Sequence, residues 1–311
     1  METKKIALMD RYGKEFTEGD NFKHYALGFL NSGCEVCQLD PYSISFSRNF
    51  GTIYALGEKK GDLFRNEISV LDNLSSFDII MDLSDIVDFE FASNLSKISS
   101  LHVNPPLATY ASADKRTYVQ NYEGFIPKTI VSSNMNKLEE TLYNVFNGTM
   151  IVKDPFGCCG KDVEKIDGSN LDLLKKLTNN GKKQVVAQKF LHFAPEGGKR
   201  IAVIGNIVDK NSYKIIHFYR RKPAEGEWKD NLSQGGSVVE VPSLRKDEID
   251  LCLGVAAKSG LYAIGLDILD DLEEGKRIPK LIETNAVLAL AFGKYPKKLE
   301  LVTDFILEEL V

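Results

Sequence analysis

The sequence predicts a mixed α/β and α+β protein in three parts. Apolar strand-like runs alternate with helix-length polar stretches in the first hundred residues, whereas strand candidates follow one another directly through much of the second half. The first pattern is typical of a parallel α/β layer and the second of antiparallel sheets. A length of 311 residues is sufficient for two or three domains. We expect an N-terminal domain (1–120), a central subdomain (121–190) and a C-terminal subdomain (191–311).

The elements of the first half follow from this alternation. Strands are expected at KKIALMD, CEVCQLD, FDIIMDL and LHV, with helices at 21–30 and 89–98. Pro105 and Pro106 follow the last of these strands and bar a helix from continuing there, so the next helix is expected from about Ser112. A strand at 126–131 and a helix at 136–146 complete this half.

The second half contains a series of strand candidates: MIVKDP, DVEKI, QVVAQKFL, KRIAVIGNIV and YKIIHFYRRK. Turns with Gly, Asn and Asp join them, which favours antiparallel pairing. The polar stretch 223–237 has no periodicity, and loops of that length commonly carry function. The chain then continues with a helix at 247–258, the strands YAIGLDILDD and PKLIETN, and a helix at 296–310.

Composition and charge exclude several classes of protein. The chain is 43% hydrophobic and 27% charged, which argues against collagen-like, disulfide-scaffold and disordered proteins. Its 39 basic and 44 acidic residues give a net charge of −5 without a basic block, so we expect no nucleic-acid or membrane partner. Its apolar runs fall short of the roughly 20 residues that span a bilayer. With no signal-peptide pattern at the N-terminus, a cytoplasmic location is expected.

The cysteines and histidines form no recognisable reactive group. Cys34 and Cys37 form a C-x-x-C pair, but no second pair or histidine cluster completes a zinc site. We interpret both, together with Cys252, as structural thiols, whereas Cys158 and Cys159 lie in a glycine-flanked loop. The histidines are scattered and form no Ser/His/Asp or Cys/His arrangement: His24, His102, His192 and His217.

The segment DPFGCCGK lies between two predicted strands. Gly157 and Gly160 allow a tight loop that presents backbone N–H groups, as phosphate-binding loops do, although the loop taken alone is better explained as an ordinary hairpin turn. It is not a Walker A loop. Lys153 ends the apolar strand just before it, and it either points into a cleft towards an anion or lies on an edge strand.

A cluster of hard oxygen ligands is predicted near the C-terminus. Glu283 and Asn285 lie two residues apart, so they share one face of a strand. Asp267 interrupts an apolar run on the preceding strand and meets them if the two strands pair as a hairpin. Such a set suits Mg²⁺ held together with substrate phosphates; the alternative is a solvated acidic face. Arg220 and Arg221 end an apolar strand, and because side chains alternate between the two faces of a strand, only one of them is expected to face the cleft. That arginine suits a carboxylate or a phosphate. The alternative is that both belong to a solvated strand end.

These segments, taken in order, resemble motifs of the ATP-grasp superfamily, and within it of the bacterial glutathione synthetases. SADKRTYVQNY is similar to the family's N-E-K helix, and IVKDPFGCCGKDV to its K-P-x-x-G-x-G-G phosphate loop. VVAQKFLHFAPEGGKRIAVIGNIV is similar to the hinge and the G-D-K-R strand that follows it. The family's substrate segment is similar to RRKPAEGEWKDNLSQGG. Its two metal segments are similar to GLYAIGLDILDD and LIETN. The resemblance implies an ATP-grasp fold of three subdomains, with ATP between the central lid and the C-terminal subdomain.

The resemblance also implies roles for individual residues. ATP contacts are implied for Lys115, Lys153, Gly157, Gly160, Gln188, Lys189, Phe190 and Leu191, with Glu196 at the ribose. Substrate contacts are implied for Arg221, Asn231, Gly235 and Gly236. Mg²⁺, as two ions and with Mn²⁺ as an alternative, is assigned to Asp267, Glu283 and Asn285. Lys153 and Arg221 are the expected catalytic residues, Arg221 by stabilising the acyl phosphate and the oxyanion that follows.

Several positions depart from the family pattern. The R-K-D-P-P patch reads MDLSD, and the T-S-P-T-G after the last metal ligand reads AVLALAFG. Gly198, Lys229 and Cys159 replace a family Asp, Arg and Gly, and the residues DLEEGKRIP lengthen the connection between Asp267 and Glu283. The ATP and metal half is retained whereas the substrate half is not, so we expect an acceptor or donor with an apolar side chain.

The activity that the resemblance implies is an ATP-dependent, ADP-forming carboxylate–amine ligase. A carboxylate would attack the γ-phosphate of ATP, and an amine would then displace phosphate from the acyl phosphate. The expected partners are a small-molecule carboxylic acid and an amine. The sequence is also compatible with a homo-oligomer. An ATP-grasp kinase and a divergent glutathione synthetase are the alternatives.

Overall fold

The computed structural model describes residues 3–11, 16–17, 20–71, 73–84, 86–157, 160, 162–289 and 297–310. Three β-sheets organise these residues, and each sheet is built from a separate stretch of the chain. The sheets succeed one another in the order expected for the three parts. The boundaries near residues 120 and 190 stay predictions.

The first sheet has six strands in the order β4-β3-β2-β1-β5-β6. Strands β1, β2, β5 and β6 are parallel, as predicted. β1 is central and buried from Ile6 to Met9, because α1 covers one of its faces and α2 packs in the core on the other. The strands and helices of this part are β1 (Lys5–Met9), α1 (Asn21–Asn31), β2 (Glu35–Leu39), β3 (Gly51–Lys59), β4 (Asp62–Leu71), β5 (Ile79–Asp82), α2 (Phe89–Leu95) and β6 (Leu101–Val103).

One edge of this sheet corrects the expectation of a purely parallel layer. The interval between β2 and β5, expected to be helix-length and polar, instead forms the hairpin of β3 and β4, which joins β2 antiparallel. Lys60 and Gly61 connect the two strands and both have positive φ, of 56° and 83°. Two-residue turns of this hand match the twist of paired strands. In the sequence, only the Lys60-Gly61 pair indicated a hairpin turn at this place.

Three short helical segments link the first sheet to the second. They are α3 (Pro106–Ala113), a 3₁₀ turn (Lys115–Thr117) and α4 (Tyr118–Asn121). The helix therefore begins at Pro106, not near Ser112 as predicted. Proline is well suited to the first turn of a helix, where its missing N–H leaves no bond unmade. The double proline starts this helix as well as ending the strand before it.

The second sheet has four antiparallel strands in the order β7-β10-β8-β9. Its elements are β7 (Thr129–Ser132), α5 (Met135–Asn144), β8 (Thr149–Lys153), β9 (Val163–Asp167), α6 (Asp172–Leu177) and β10 (Val185–Lys189). Leu138 and Leu142 of α5 pack with Val152 and Ala187 from the sheet. Antiparallel pairing of β8 with β9 is confirmed, but β10 pairs with β8 and not with its predecessor β9.

The third sheet has five antiparallel strands in the order β13-β12-β11-β14-β15. Its elements are β11 (Lys199–Ile204), β12 (Lys214–Lys222), β13 (Ser237–Val239), α7 (Lys246–Ser259), β14 (Ala263–Glu273) and β15 (Lys276–Asn285). The hairpin of β14 and β15 is confirmed. α7 packs against it through Leu251, Cys252 and Val255 in a core shared with Leu266 and Leu281.

The first and third parts are fastened together at two places. α8 (Lys297–Asp304), followed by a π-helical turn (Phe305–Glu309), packs on α1 where a Cβ at Gly28 would lie 2.8 Å from Thr303 Oγ1. The predicted start of this helix at Pro296 lies outside the described residues. Asn104, just after β6, is buried and its amide nitrogen donates to the carbonyls of Ala263 and Ala286 at 2.7 and 2.5 Å. These contacts fix the first sheet against the ends of β14 and β15.

Candidate active site

Lys115 joins three parts of the chain at one buried ammonium group. Its side chain is only 7% exposed, and Nζ lies 3.0 Å from Glu283 Oε1. The same Nζ donates to the carbonyl of Gly157 at 2.6 Å. Asp114 starts the 3₁₀ turn that carries Lys115 by accepting a hydrogen bond from the Arg116 N–H. The backbone of the predicted phosphate loop and the strand of the predicted metal ligands are thereby held within reach of one cation.

A buried hydroxyl network positions Lys115 relative to Glu283. Tyr118 OH lies 2.8 Å from the Ser112 carbonyl oxygen and accepts a hydrogen bond from the Thr284 N–H at 2.8 Å. Ser112 Oγ and Thr284 Oγ1 are also 2.8 Å apart. Burial raises the pKa of the Tyr118 hydroxyl. Because these residues flank Lys115 and Glu283 in sequence, the network fixes the spacing between the two side chains.

Lys153 ends β8 in the interior of the second sheet. β8 pairs with β9 on one side and with β10 on the other, so the edge-strand interpretation is wrong. Lys153 Nζ donates to Gln188 Oε1 at 2.6 Å, and both side chains are buried. Burial lowers the pKa of Lys153 to about 8, an effect that Glu283 opposes. A buried ammonium with a neutral partner favours an anion beside it.

The predicted metal ligands lie on the paired strands β14 and β15. Asp267 is directly opposite Glu283, and Asn285 follows on the same face of β15. Asn285 Nδ2 is buried without a hydrogen-bond partner among the described residues. Because amide nitrogen and oxygen are interchangeable by rotation, this side chain can turn its oxygen to a cation. The three groups fit Mg²⁺, which binds through one or two carboxylates together with substrate phosphates.

Two arginines compensate the charge of Asp267. Nη1 of Arg200 donates to both carboxylate oxygens at 2.8 and 2.9 Å, and Nη2 of Arg221 lies 3.1 Å from Oδ2. Burial disfavours the ionised form of Asp267, but the two arginines outweigh it and lower the pKa. Arg221 faces this site, whereas Arg220 is not among the residues that line it. No cluster of three or more His, Cys, Asp or Glu suited to a metal occurs in the described part of the chain.

Asp230 occupies the space beside Gly198, the position where the family motif has an acidic residue. Asp230 Oδ2 accepts a hydrogen bond from the Gly198 N–H at 2.8 Å, and Oδ1 lies 3.3 Å from Arg221 Nη2. A Cβ at Gly198 would lie 3.0 Å from Asp230 Oδ2 and 2.8 Å from the Ile268 carbonyl oxygen. The long loop thus supplies a carboxylate that leaves no room for a side chain at Gly198.

A cleft of about 880 Å³ lies between the second and third sheets. Its charged lining includes Lys115, Lys153, Arg221, Asp267 and Glu283. The predicted hinge residues and apolar groups also line it: Gln188, Lys189, Phe190, Leu191, Ala194 and Ile268. Gly157, Gly160 and Asn231 also line it. The cleft therefore combines an apolar slot with a cluster of cations and carboxylates.

Three predicted residues lie outside this cleft. Glu196 is exposed and its carboxylate accepts from Arg277 Nη2 at 2.8 and 3.0 Å, and its contact with the ribose stays a prediction. Gly235 and Gly236 line neither described cleft. Gly235 ends a 3₁₀ turn with φ of 90°, and a Cβ at Gly236 would lie 2.5 Å from the Asp230 carbonyl oxygen. These glycines shape the loop that carries Asp230.

The lengthened hairpin of β14 and β15 holds the hinge segment. Lys189 Nζ lies 2.6 Å from Asp271 Oδ2, and the Asp271 side chain is only 3% exposed. The Arg277 guanidinium lies 3.8 Å from the centre of the Phe193 ring and pairs with Glu196. The residues that distinguish this connection from the family pattern are thus the ones that contact the segment between β10 and β11.

A second cleft of about 1000 Å³ meets the first at Lys115, Gly157 and Glu283. It lies between the carboxyl end of β5 and α3, the edge at which parallel sheets commonly bind ligands. Asp82 and Ser84 of the MDLSD segment line it, as does Asn285. Its remaining described walls are mostly apolar or aromatic: Ile86, Val87, Phe91, Ala92, Tyr110, Ala113, Phe156, Ala286 and Val287.

Two described residues of the segment after the predicted metal ligands line this cleft. Ala286 and Val287 line it, but Leu288 is buried in the main core. Residues 290–292 lie outside the described residues. The apolar surface comes mainly from the first domain and α3, which the sequence analysis did not anticipate.

The cysteine and histidine interpretations largely agree with the structure where it describes them. Cys37 and Cys252 are buried, whereas Cys34, also expected to be buried, is only half-buried. Burial raises the pKa of the Cys37 thiol to about 11. No histidine lines either cleft in the described part of the chain. Cys158, Cys159 and Lys161 lie outside the described residues.

The sequence predicted no site role for Arg200, Trp228 or Asp230, and it gave Lys229 only as a departure from the family pattern. Arg200 lies on a strand within a motif, and Asp230 lies in a loop without periodicity. Trp228 and Lys229 line the first cleft, where Trp228 packs edge-to-face on Phe190 and Lys229 Nζ donates to the Gly160 carbonyl at 3.2 Å. The adjacent Trp, Lys and Asp in the long loop were a signal that the loop could carry function. Which way these side chains point depended on the fold.

The fold and the site together define an ATP-grasp enzyme. D-cycloserine synthetase DcsG has the same fold, with a TM-score of 0.71 over 99% of this chain and 100% of that one, at 14% identity. The family model for the prokaryotic glutathione synthetase ATP-grasp domain matches residues 115–275, which is more than half of the chain. The protein belongs to this family, whose members use ATP and Mg²⁺, and it is an ADP-forming carbon–nitrogen ligase.

Its sequence relatives include glutathione synthetases. The enzyme of Ralstonia nicotianae is 28% identical over 258 residues, which cover 79% of this chain and 76% of the relative. The enzyme of Shewanella oneidensis is 29% identical over 176 residues, covering 55% of this chain and 53% of the relative. The chain thus spans three quarters of one and about half of the other. In the described residues, no helix has the length and hydropathy to cross a membrane.

Proposed function

We propose that the protein joins the carboxylate of one amino acid or small peptide to the amine of another through an acyl phosphate. The observation that carries this proposal is the meeting of the two clefts at Lys115, Gly157 and Glu283. The first cleft has the shape and charge to hold a nucleoside triphosphate such as ATP. The second has room for organic substrates whose reacting carboxylate reaches the phosphate end of the first.

The reaction has two balanced steps. In the first, a carboxylate oxygen attacks the γ-phosphorus of ATP and the bond to the bridging oxygen breaks, so ADP leaves with that electron pair. In the second, the amine nitrogen attacks the acyl carbon, phosphate leaves, and the nitrogen loses a proton to solvent. No side-chain nucleophile is required, because positioning and charge neutralisation lower both barriers.

Cationic side chains have distinct roles in this proposal. Lys115 and Lys153 neutralise phosphate oxygens of ATP from two sides of the cleft. Arg221 is held by Asp267 and Asp230, and these carboxylates outweigh burial and raise its pKa, so it stays charged. We assign Arg221 to the charge that develops on the acyl phosphate and on the tetrahedral oxyanion.

Metal and nucleotide contacts complete the assignment. Asp267, Glu283 and Asn285 would hold Mg²⁺, as two ions, and Mn²⁺ is expected to replace it. The metal supplies neutralisation of the triphosphate charge. Gln188, Lys189, Phe190 and Leu191 are assigned to the nucleobase, and Gly157 and Gly160 to the phosphates. A cytoplasmic location and a homo-oligomeric state stay predictions.

The test is a screen of pairs of amino acids and short peptides with ATP and Mg²⁺, followed by ADP release and by the mass of the product. The expected result is ADP release that requires both a carboxylate and an amine, with an amide as product. Hydroxylamine in place of the amine should trap a hydroxamate. Lys153→Gln serves as an inactive control that retains the fold.

A different outcome would redirect the assignment. ADP release without any added amine, together with a phosphorylated hydroxyl product, identifies a kinase and overturns the proposal.

A further inference from the structure

The second cleft carries information about the substrate that the ATP site does not. This inference rests on the proposed ligase function, since it concerns the side chain of a substrate whose carboxylate or amine reacts beside Lys115. The cleft encloses about 1000 Å³ of space, part of it open to solvent, so a substrate can enter it directly.

Its walls are apolar on both sides of the mouth. Val87 is 40% exposed on the loop after β5. Tyr110 of α3 lies 5.6 Å from the Phe89 ring and 5.8 Å from the Phe156 ring, centre to centre. Phe156 precedes the phosphate-loop glycine Gly157. An aromatic surface therefore runs from the first domain to the phosphate loop across the cleft.

The charges of the cleft disfavour a second anion. Lys115 is the only cationic side chain among the described residues that line it, and its ammonium already contacts Glu283 and the Gly157 carbonyl. Asp82 and Glu283 place two carboxylates in the same walls. A substrate with an anionic side chain would lose its hydration here without gaining a cationic partner.

Neutral polar groups are present instead. Thr109 and Asn285 line the cleft, and their buried Oγ1 and Nδ2 atoms have no hydrogen-bond partner among the described residues. A hydroxyl on a helix commonly bonds the carbonyl four residues earlier, but that carbonyl, of Pro105, accepts only from the Thr109 N–H. An unpaired buried hydroxyl is unfavourable, so a neutral polar group of a ligand is its natural partner.

We propose that the second cleft binds a substrate with an uncharged apolar or aromatic side chain, one of whose polar backbone groups is oriented by Thr109. Val87, Phe91, Tyr110 and Val287 contact the side chain. Thr109 and the apolar wall at Val87 then act as specificity determinants of the ligase, and small substrates with a second carboxylate, such as γ-glutamylcysteine, are rejected.

The test compares kcat/KM for ADP release across substrates with leucine, methionine, phenylalanine, aspartate and glutamate side chains, and for γ-glutamylcysteine with glycine. We expect apolar substrates to exceed acidic ones by at least about tenfold. Val87→Arg places a cation in the wall and should reverse the preference towards acidic side chains. Val208→Arg is the matched control, because Val208 is 88% exposed and lines neither cleft.

Thr109 supplies a second measurement that does not depend on charge. Thr109→Val should raise KM for the apolar substrate about tenfold while ATP binding is unchanged, and Thr109→Ser should restore it. Equal or higher kcat/KM for γ-glutamylcysteine with glycine, or no change of preference in Val87→Arg, overturns this inference and leaves the ligase function intact. An absence of amine-dependent ADP release with every pair would instead overturn the proposed function.

Discussion

Arg200 and Asp267 face each other across β11 and β14, and one guanidinium nitrogen of Arg200 donates to both carboxylate oxygens of Asp267 at 2.8 and 2.9 Å. Both side chains are largely buried. The arginine therefore fixes the orientation of the carboxylate as well as its charge. A metal ligand held in this way presents its oxygens in one geometry.

Arg200→Met should lower kcat for ADP release about 10- to 100-fold, since it removes the group that orients Asp267 while Arg221 still balances its charge. The kcat of Arg200→Lys should lie between that of the wild type and that of Arg200→Met. Steady-state ADP release as a function of Mg²⁺ concentration measures this effect. Arg48→Met, at an exposed arginine, is the control. Wild-type Mg²⁺ dependence in a folded Arg200→Met protein would show that Asp267 does not bind the metal.

Glu283→Ala should abolish turnover and leave the fold intact. Glu283 faces Asp267 in register and contacts Lys115, so its loss removes one predicted metal ligand and the partner of a lysine that we propose to bind phosphate. Circular dichroism and thermal melting check the fold, and calorimetry with Mg·ADP checks binding. Glu300→Ala, at an exposed position of α8, should behave as wild type. Full activity of Glu283→Ala would falsify the metal assignment.

ATP affinity should fall as the pH rises through about 8. Burial lowers the pKa of Lys153 to about 8 in the free protein. Phosphate favours the charged form, so bound ATP raises this pKa, and above pH 8 binding must take up a proton. The affinity is then constant below pH 8 and falls by up to about tenfold per pH unit above it.

Calorimetry at pH 7, 8 and 9, in buffers of different ionisation enthalpy, measures the proton uptake directly. Lys153→Arg should flatten the profile, since arginine stays charged throughout this range. An affinity that does not change between pH 7 and 9 would show that Lys153 does not contact the nucleotide.

Gly160→Ala should raise KM for ATP about tenfold. Gly160 has φ of 70°, and a Cβ there would lie 2.9 Å from Asn231 Cγ, so the phosphate loop would have to shift. Gly61→Ala is a matched control, because Gly61 has φ of 83° but open space around it and lies in the β3–β4 turn. Both variants carry similar backbone strain. If they change ATP kinetics equally, strain at a distance explains the effect and Gly160 has no local role.

Asp271→Asn should weaken ATP binding several-fold with little change in kcat. It removes the charge that holds Lys189, whereas the reacting groups are untouched. Hydrogen exchange should increase in residues 189–196, since this segment loses its fastening to the hairpin. Lys276→Ala, in the same hairpin but at an exposed site, is the control. If neither the hydrogen exchange of residues 189–196 nor the ATP affinity changes, the lengthened β14–β15 hairpin does not hold the hinge segment.

The sequence predicted most of the architecture because most elements bury one face or both. β1 is a continuous apolar run, since it lies between two helical layers, and the hairpin of β14 and β15 could be predicted from its two apolar strands. The β3–β4 hairpin was missed, because it lies at an edge where half of each strand meets water and the hydrophobic pattern is weak. Only the Lys60-Gly61 pair in the sequence indicated this hairpin.

The sequence by itself determined which chemical groups are present and which of them share a strand face: Glu283 and Asn285 are two residues apart in any β-strand, and Lys153 ends an apolar run in any fold. Only the tertiary structure decided that Lys115 meets Glu283, that Arg200 orients Asp267, and that Asp230 fills the space at Gly198. It also placed Glu196 against Arg277, away from the cleft. The physical reason is that backbone periodicity fixes the direction of neighbouring side chains, whereas contacts between distant segments depend on which sheets pack together and on how buried charges find partners.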